Sequence, residues 1–145
     1  MLLIIVSLRA NQPEWLFYDG HCALCHWTVK FVLKHDADGT AFRFAPLQGG
    51  AFQALVPAGQ RVALPDSIVI LTADSVLLTR SDAFVHILRR LGGGWKFVGG
   101  IVNAIPRVLR NGAYDFVARI RYRVFGTRDD LCPVIPPEWR ARFDL

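Results

Sequence analysis

The chain is poor in cysteine, methionine and long apolar runs. Its 145 residues hold three cysteines and one methionine. Three is an odd number, and too few for the disulfide framework of a small secreted domain. A chain of this length removes roughly two thirds of its unfolded surface on folding, so it needs neither disulfides nor a metal to hold its core. No stretch approaches the roughly 20 apolar residues of a membrane-spanning helix; the apolar segment from Trp95 to Leu109 is interrupted by Lys96, Asn103, Pro106 and Arg107. The run Met1 to Val6 has no basic residue before it and is shorter than a signal-peptide core. Residues 1–12 are therefore expected to be an N-terminal extension, a short strand or disordered. Residues 13–145 are expected to form one domain, with a core over 13–93 and a helical extension and Pro-rich tail over 94–145. The compartment expected for a free cysteine pair is the reducing cytoplasm.

What the chain has is apolar content, 52% against 20% charged, which excludes a disordered polymer. Its net charge of +5 is uneven. Six basic and six acidic residues cancel over 1–80, so the whole excess lies in residues 81–145. A basic half fits either a solvated helix face or an anionic partner. Nothing resembles a base-reading module, so no specific nucleic acid is expected. The Gly-rich, apolar segment 95–109 leaves peripheral membrane contact open.

Periodicity then orders the chain. EWLFY, residues 14–18, is a buried strand closed by Asp19-Gly20, a turn dipeptide. Leu24, Trp27, Phe31 and Val32 recur at helical spacing up to His35. Phe42 and Phe44 alternate with smaller or charged residues in a second strand ended by Pro46. Residues 50–56 suit a short helix. A hairpin follows, with Ile68 to Leu71 and Val76 to Leu78 as strands and Thr72 to Asp74 as the turn. Ser81 is the expected N-cap of a helix through Phe84, Ile87, Leu88 and Leu91, stopped by Gly92-Gly93-Gly94. Residues 95–110 read as helical, ended or kinked at Pro106. Residues 114–125 are also read as helix, although Arg119, Arg121 and Arg123 alternate as in a strand. Two strands joined through a helix are expected to be parallel. The order is that of an α/β thioredoxin-like fold, a central mixed sheet flanked by helices, with an additional C-terminal helical segment.

The chemistry is concentrated in DGHCALCHW, residues 19–27. C-x-x-C can be a redox dithiol, half of a metal site or, with His26, a haem attachment sequence. The only methionine is Met1, and no export signal is visible, which disfavours haem. A tetrahedral zinc site needs four ligands. Cys22 and Cys25 supply two, and no second C-x-x-C or H-x-x-x-H completes the set. The alternative function is accordingly a metal-binding or interaction protein that uses Cys22 and Cys25 as a ligand pair. The favoured reading puts the pair on the first turn of a helix, where free N–H groups and the macrodipole stabilise a thiolate. Cys22 is then the attacking thiolate, facing the exposed end, and Cys25 the resolving thiol. His21 and His26 either tune Cys22 or are exposed neighbours. Asp19 forms the turn or accepts the Cys25 proton. Cys132 is a buried small side chain or a third thiol near the site.

YDGHCALC resembles the D-G-x-C-x-x-C signature of the DCC-type thiol-disulfide oxidoreductases. The resemblance continues through KFVLKHDADGTAFRFAPLQG, DSIVILTADSVLLTRSDAFVHILRRLGG, IPRVLRNGAYDFVARIRYRVFG and the late Cys132-Pro133. It implies protein-disulfide oxidoreductase activity carried by Cys22 and Cys25, supported by Asp19 and Gly20, with no cofactor beyond the cysteine pair. Tyr114, Arg121 and Tyr122 match late family positions of undefined role, with core packing as the alternative. Partners would be a disulfide-containing protein or small thiol, and an electron-donor reductase or glutathione. A thioredoxin-like fold also implies a cis-proline facing the dithiol. Pro65 is the candidate, with Asp66-Ser67 as the alternative.

Overall fold

The computed structural model describes residues 13–20, 22–36, 41–61, 64, 68–126 and 142–143, with the side chains of Tyr122 and Phe125 excepted. Strand β1 (Glu14–Tyr18) leads into α1 (Ala23–His35), which returns to β2 (Phe42–Pro46). Two short helices, α2 (Gly50–Leu55) and α3 (Ala58–Arg61), precede the hairpin β3 (Val69–Leu71) and β4 (Leu77–Thr79). Then come α4 (Arg80–Leu91), α5 (Gly93–Ala104) and α6 (Arg107–Phe125). The sheet order is β2-β1-β3-β4, with β1 and β2 parallel and the β1–β3 and β3–β4 pairs antiparallel. The expected thioredoxin-like architecture is what the chain adopts.

The core follows from the period of two in β1. Leu16 and Tyr18 point to one face, where they meet Val29 and Val32 of α1 and Ile87 of α4, together with Phe42, Phe44 and Ile70. Phe17 points to the other face and packs with Ala45, Phe52, Val56 and Val69. Each such side chain, fully buried, contributes on the order of 1.5–3 kcal/mol. A strand apolar on both faces must be central, and β1 is central.

One local expectation changes, and the choice left open at Pro106 is settled. Ser81 is not the N-cap of α4; Thr79 stands there and makes no side-chain cap hydrogen bond. The Ser81 N–H and hydroxyl are taken instead by Asn111 Oδ1 of α6. Pro57 precedes the helical turn α3, and its carbonyl accepts from Gln60 and Arg61. Pro106 ends α5 rather than kinking one long helix, and its carbonyl accepts from the first turn of α6. α4 stops at Gly92, whose φ of 74° is open to glycine at little cost. Gly99 lets α5 lie close on α4: a Cβ there would sit 2.9 Å from Arg89 Cγ and 3.1 Å from Leu88 Cβ.

Candidate active site

The dithiol sits where β1 hands over to α1. Cys22 is the N-cap of α1, with φ −97° and ψ 117°, and its Sγ accepts the Cys25 N–H at 3.3 Å. The Cys22 N–H donates to the Asp19 carbonyl at 3.2 Å, closing the turn. The helix N-terminus is therefore capped by the first sulfur itself, which is the electrostatic setting a thiolate needs.

Cys22 is held well below its ordinary value, to about 6. The chief cause is a hydrogen bond from the Cys25 thiol; the Cys25 N–H and the nearby Arg121 charge add to it, against burial and the Asp19 charge. Cys25 moves the opposite way. Its pKa is raised because it donates to Cys22, and burial and the Cys22 charge push it further. One proton shared between two sulfurs thus produces one thiolate and one persistent thiol.

A second layer holds this turn. Asp19 is buried, and Gln48 Nε2 donates to its Oδ1 at 3.0 Å. Arg121 Nη2 of α6 donates to its Oδ2 at 3.3 Å. Gln48 Oε1 in turn accepts the Gly20 N–H at 3.0 Å. His26 is not an exposed neighbour. It is 1% exposed, stands edge-on to Tyr18, and bonds the Gly20 carbonyl through Nε2 at 2.6 Å. A carbonyl only accepts, so Nε2 carries the proton. The described cation acting on Cys22 is Arg121.

The exposure expected of Cys22 is also corrected: it is 0% exposed, and Cys25 4%. The end of α6 covers the helix start, with the Gly126 carbonyl accepting the Ala23 N–H at 3.4 Å. Beside Cys25 lies a cleft of about 420 Å³ between α1, α4, α5 and α6. Its walls are mostly apolar, including Leu24, Trp27, Ile68, Phe84, Val102 and Val117, and Tyr114 and Arg121 line it as well. The volume is that of a small-ligand site.

The fold thus brings together Asp19, Gly20, Cys22, Cys25, His26 and Arg121, and it puts Tyr114 on the cleft wall. Tyr122 lies on α6, with its side chain outside the described set. His21, Pro65, Asp66, Ser67 and Cys132 lie outside the described residues. Gln48 was missed; its one sequence cue is its place just after the strand that neighbours β1. Among the described residues, no three of His, Cys, Asp and Glu gather as a metal site would require, and no helix is long and apolar enough to cross a membrane.

A four-stranded mixed sheet carrying a buried, polarised dithiol on the helix after its first strand defines a thioredoxin-like dithiol protein. The chain belongs to the DCC1-like thiol-disulfide oxidoreductase family, whose pattern it matches over residues 16–127. It is 35% identical over 133 residues to the uncharacterized protein YuxK of Bacillus subtilis, covering 88% of this chain and 91% of that one. It is 32% identical over 122 residues to a chloroplastic DCC family protein of Arabidopsis thaliana, covering 84% of this chain and 69% of the relative. No solved structure matches it.

Proposed function

We propose that the protein is a protein-disulfide oxidoreductase that exchanges electrons through Cys22 and Cys25. The observation that carries this is the geometry of the pair, with Cys22 the N-cap of α1 and its Sγ accepting the Cys25 N–H at 3.3 Å; the opposite directions in which the two thiols are shifted agree with it. The Cys22 thiolate attacks a substrate disulfide, forming a mixed disulfide and expelling one substrate thiolate. Cys25 has then lost both the acceptor and the negative charge that held its proton. That proton passes to the expelled thiolate, and Cys25 attacks Cys22 Sγ. The Cys22–Cys25 disulfide forms and the second substrate sulfur leaves as a thiolate, which takes a proton from solvent. Two electrons move from the cysteine pair to the substrate, and the cycle as written uses no other cofactor. Asp19, bound on both oxygens, acts as an anchor for the turn and for Arg121 rather than as the base. An electron-donor reductase or glutathione would regenerate the dithiol, in a reducing compartment such as the cytoplasm.

The test is insulin-disulfide reduction with a reductant present. Cys22→Ser is expected to abolish activity, and Cys25→Ser to accumulate a mixed disulfide on Cys22. Equal turnover by Cys22→Ser and wild type would sink the reading.

A further inference from the structure

The last two helices are amphipathic in the wrong sense for a solvated surface. α6 spends polar groups on its neighbours: Asn111 holds Ser81, Arg110 reaches Asp82 at 3.4 Å, Arg121 reaches Asp19, and at the edge Asp115 pairs with Arg80. Outward it presents Val108 (83% exposed), Leu109 (65%), Phe116 (61%) and Val124 (62%). Leu109, Ala113, Phe116, Ile120 and Val124 repeat at helical spacing and form one stripe. α5 adds Phe97 (72%) and Ile101 (54%). Apolar residues scattered singly on a surface need no explanation, whereas a stripe running the length of a helix does.

Charge selects what covers it. Between residues 93 and 126 there are six basic residues and one acidic residue, Asp115, which Arg80 holds. Lys96, Arg119 and Arg123 are exposed, Arg107 is exposed but pairs with Asp82, and Arg119 and Arg123 lie along one border of the α6 stripe. A second copy docked through this face would set cations against cations. An anionic lipid surface would meet both features: apolar side chains enter the acyl boundary while lysine and arginine reach the headgroups. We propose that α5 and α6 form a docking face for an anionic membrane surface, on which the protein lies without crossing it. Val102 and Val117 of these helices also wall the cleft beside Cys25, so docking places the cleft next to the bilayer.

The test is co-sedimentation of the full, reduced chain with vesicles of phosphatidylglycerol and phosphatidylcholine in equal parts, and with phosphatidylcholine alone. Binding is expected to the anionic vesicles only, weakening as salt rises. Leu109→Ser with Phe116→Ser is expected to abolish it. Arg119→Gln with Arg123→Gln, both exposed and therefore safe for folding, is expected to lower partitioning by about 30-fold, since each basic residue near such a surface is worth about fivefold. Cys22→Ser is expected to bind as wild type, which separates this proposal from the thiol chemistry. It is overturned by absence of binding to anionic vesicles at low salt, by binding indifferent to Leu109 and Phe116, or by a dimer in sedimentation velocity that Phe116→Ser dissolves.

Discussion

At the scale of the residue, Cys22 and Arg121 make the sharpest predictions. The Cys22 pKa is depressed in the fold, from near 9 to about 6. A depressed pKa contributes stability that is complete above the unfolded value and is lost as pH falls through the folded one. The reduced protein should therefore gain stability between about pH 6 and 9, and Cys22→Ser should lack that increment. Denaturant unfolding under reductant across this window measures the difference. Thiolate absorbance should titrate with a midpoint near pH 6, and the alkylation rate of Cys22 should follow it. Arg121→Gln should move that midpoint upward, because it removes a cation acting on the thiolate. It also strips Asp19 of its charge partner in a buried site, which costs on the order of 3–5 kcal/mol. His26→Leu should lose about 1–3 kcal/mol by leaving the Gly20 carbonyl without its donor.

At the scale of the element, α6 is both support and cover. It delivers Arg121 to the turn, and the carbonyl of Gly126, just past its end, accepts the first N–H of α1. Both sulfurs are buried beneath this arrangement, so a thiol reagent meets Cys22 readily only when the cover shifts. Small alkylating agents should therefore react faster than bulky ones by more than their intrinsic difference. Asn111→Ala removes the acceptor of Ser81 and should narrow that gap, as read by alkylation kinetics. The α4–α5 contact has its own test. Gly99→Val forces a side chain against Arg89 and Leu88 and should cost about 1–3 kcal/mol by overpacking, measured by thermal unfolding.

At the scale of the whole molecule, the two ends of β1 carry separate polar sites. The dithiol lies at its C-terminal end. At its N-terminal end, buried Glu14 meets His86 Nε2 and, at 3.6 Å, Arg90 Nη1. Burial pushes the Glu14 pKa up, but the His86 hydrogen bond and the His86 and Arg90 charges together hold it below its ordinary value. This contribution to stability is present above the unfolded value near 4.5 and is lost on acidification below it. Glu14→Gln should lower stability by about 1–3 kcal/mol. It should leave the Cys22 titration unchanged, because the two sites lie at opposite ends of the strand. A shifted Cys22 midpoint in Glu14→Gln would show that the strand couples them.

The elements were legible in the residues because their signals are local: helical spacing at Leu24, Trp27 and Phe31, alternation around Phe42 and Phe44, and the Asp19-Gly20 turn. The position of the dithiol was legible for the same reason, since C-x-x-C directly follows the strand and its turn; the downward shift of Cys22 owes most to the hydrogen bond from the Cys25 thiol. The order of strands then allowed the sheet to be drawn. What packs over that turn is a different matter. Arg121 lies 102 residues from Asp19, and Gln48 lies 29 from it. No periodicity connects such pairs. The burial of both sulfurs, the inward turn of His26 and the capture of Ser81 by Asn111 likewise depend on helices meeting after the chain has folded back. Local pattern determined where the thiols sit. Long-range packing decided which cation attends them, which cleft they border, and that the apolar side of α6 faces outward.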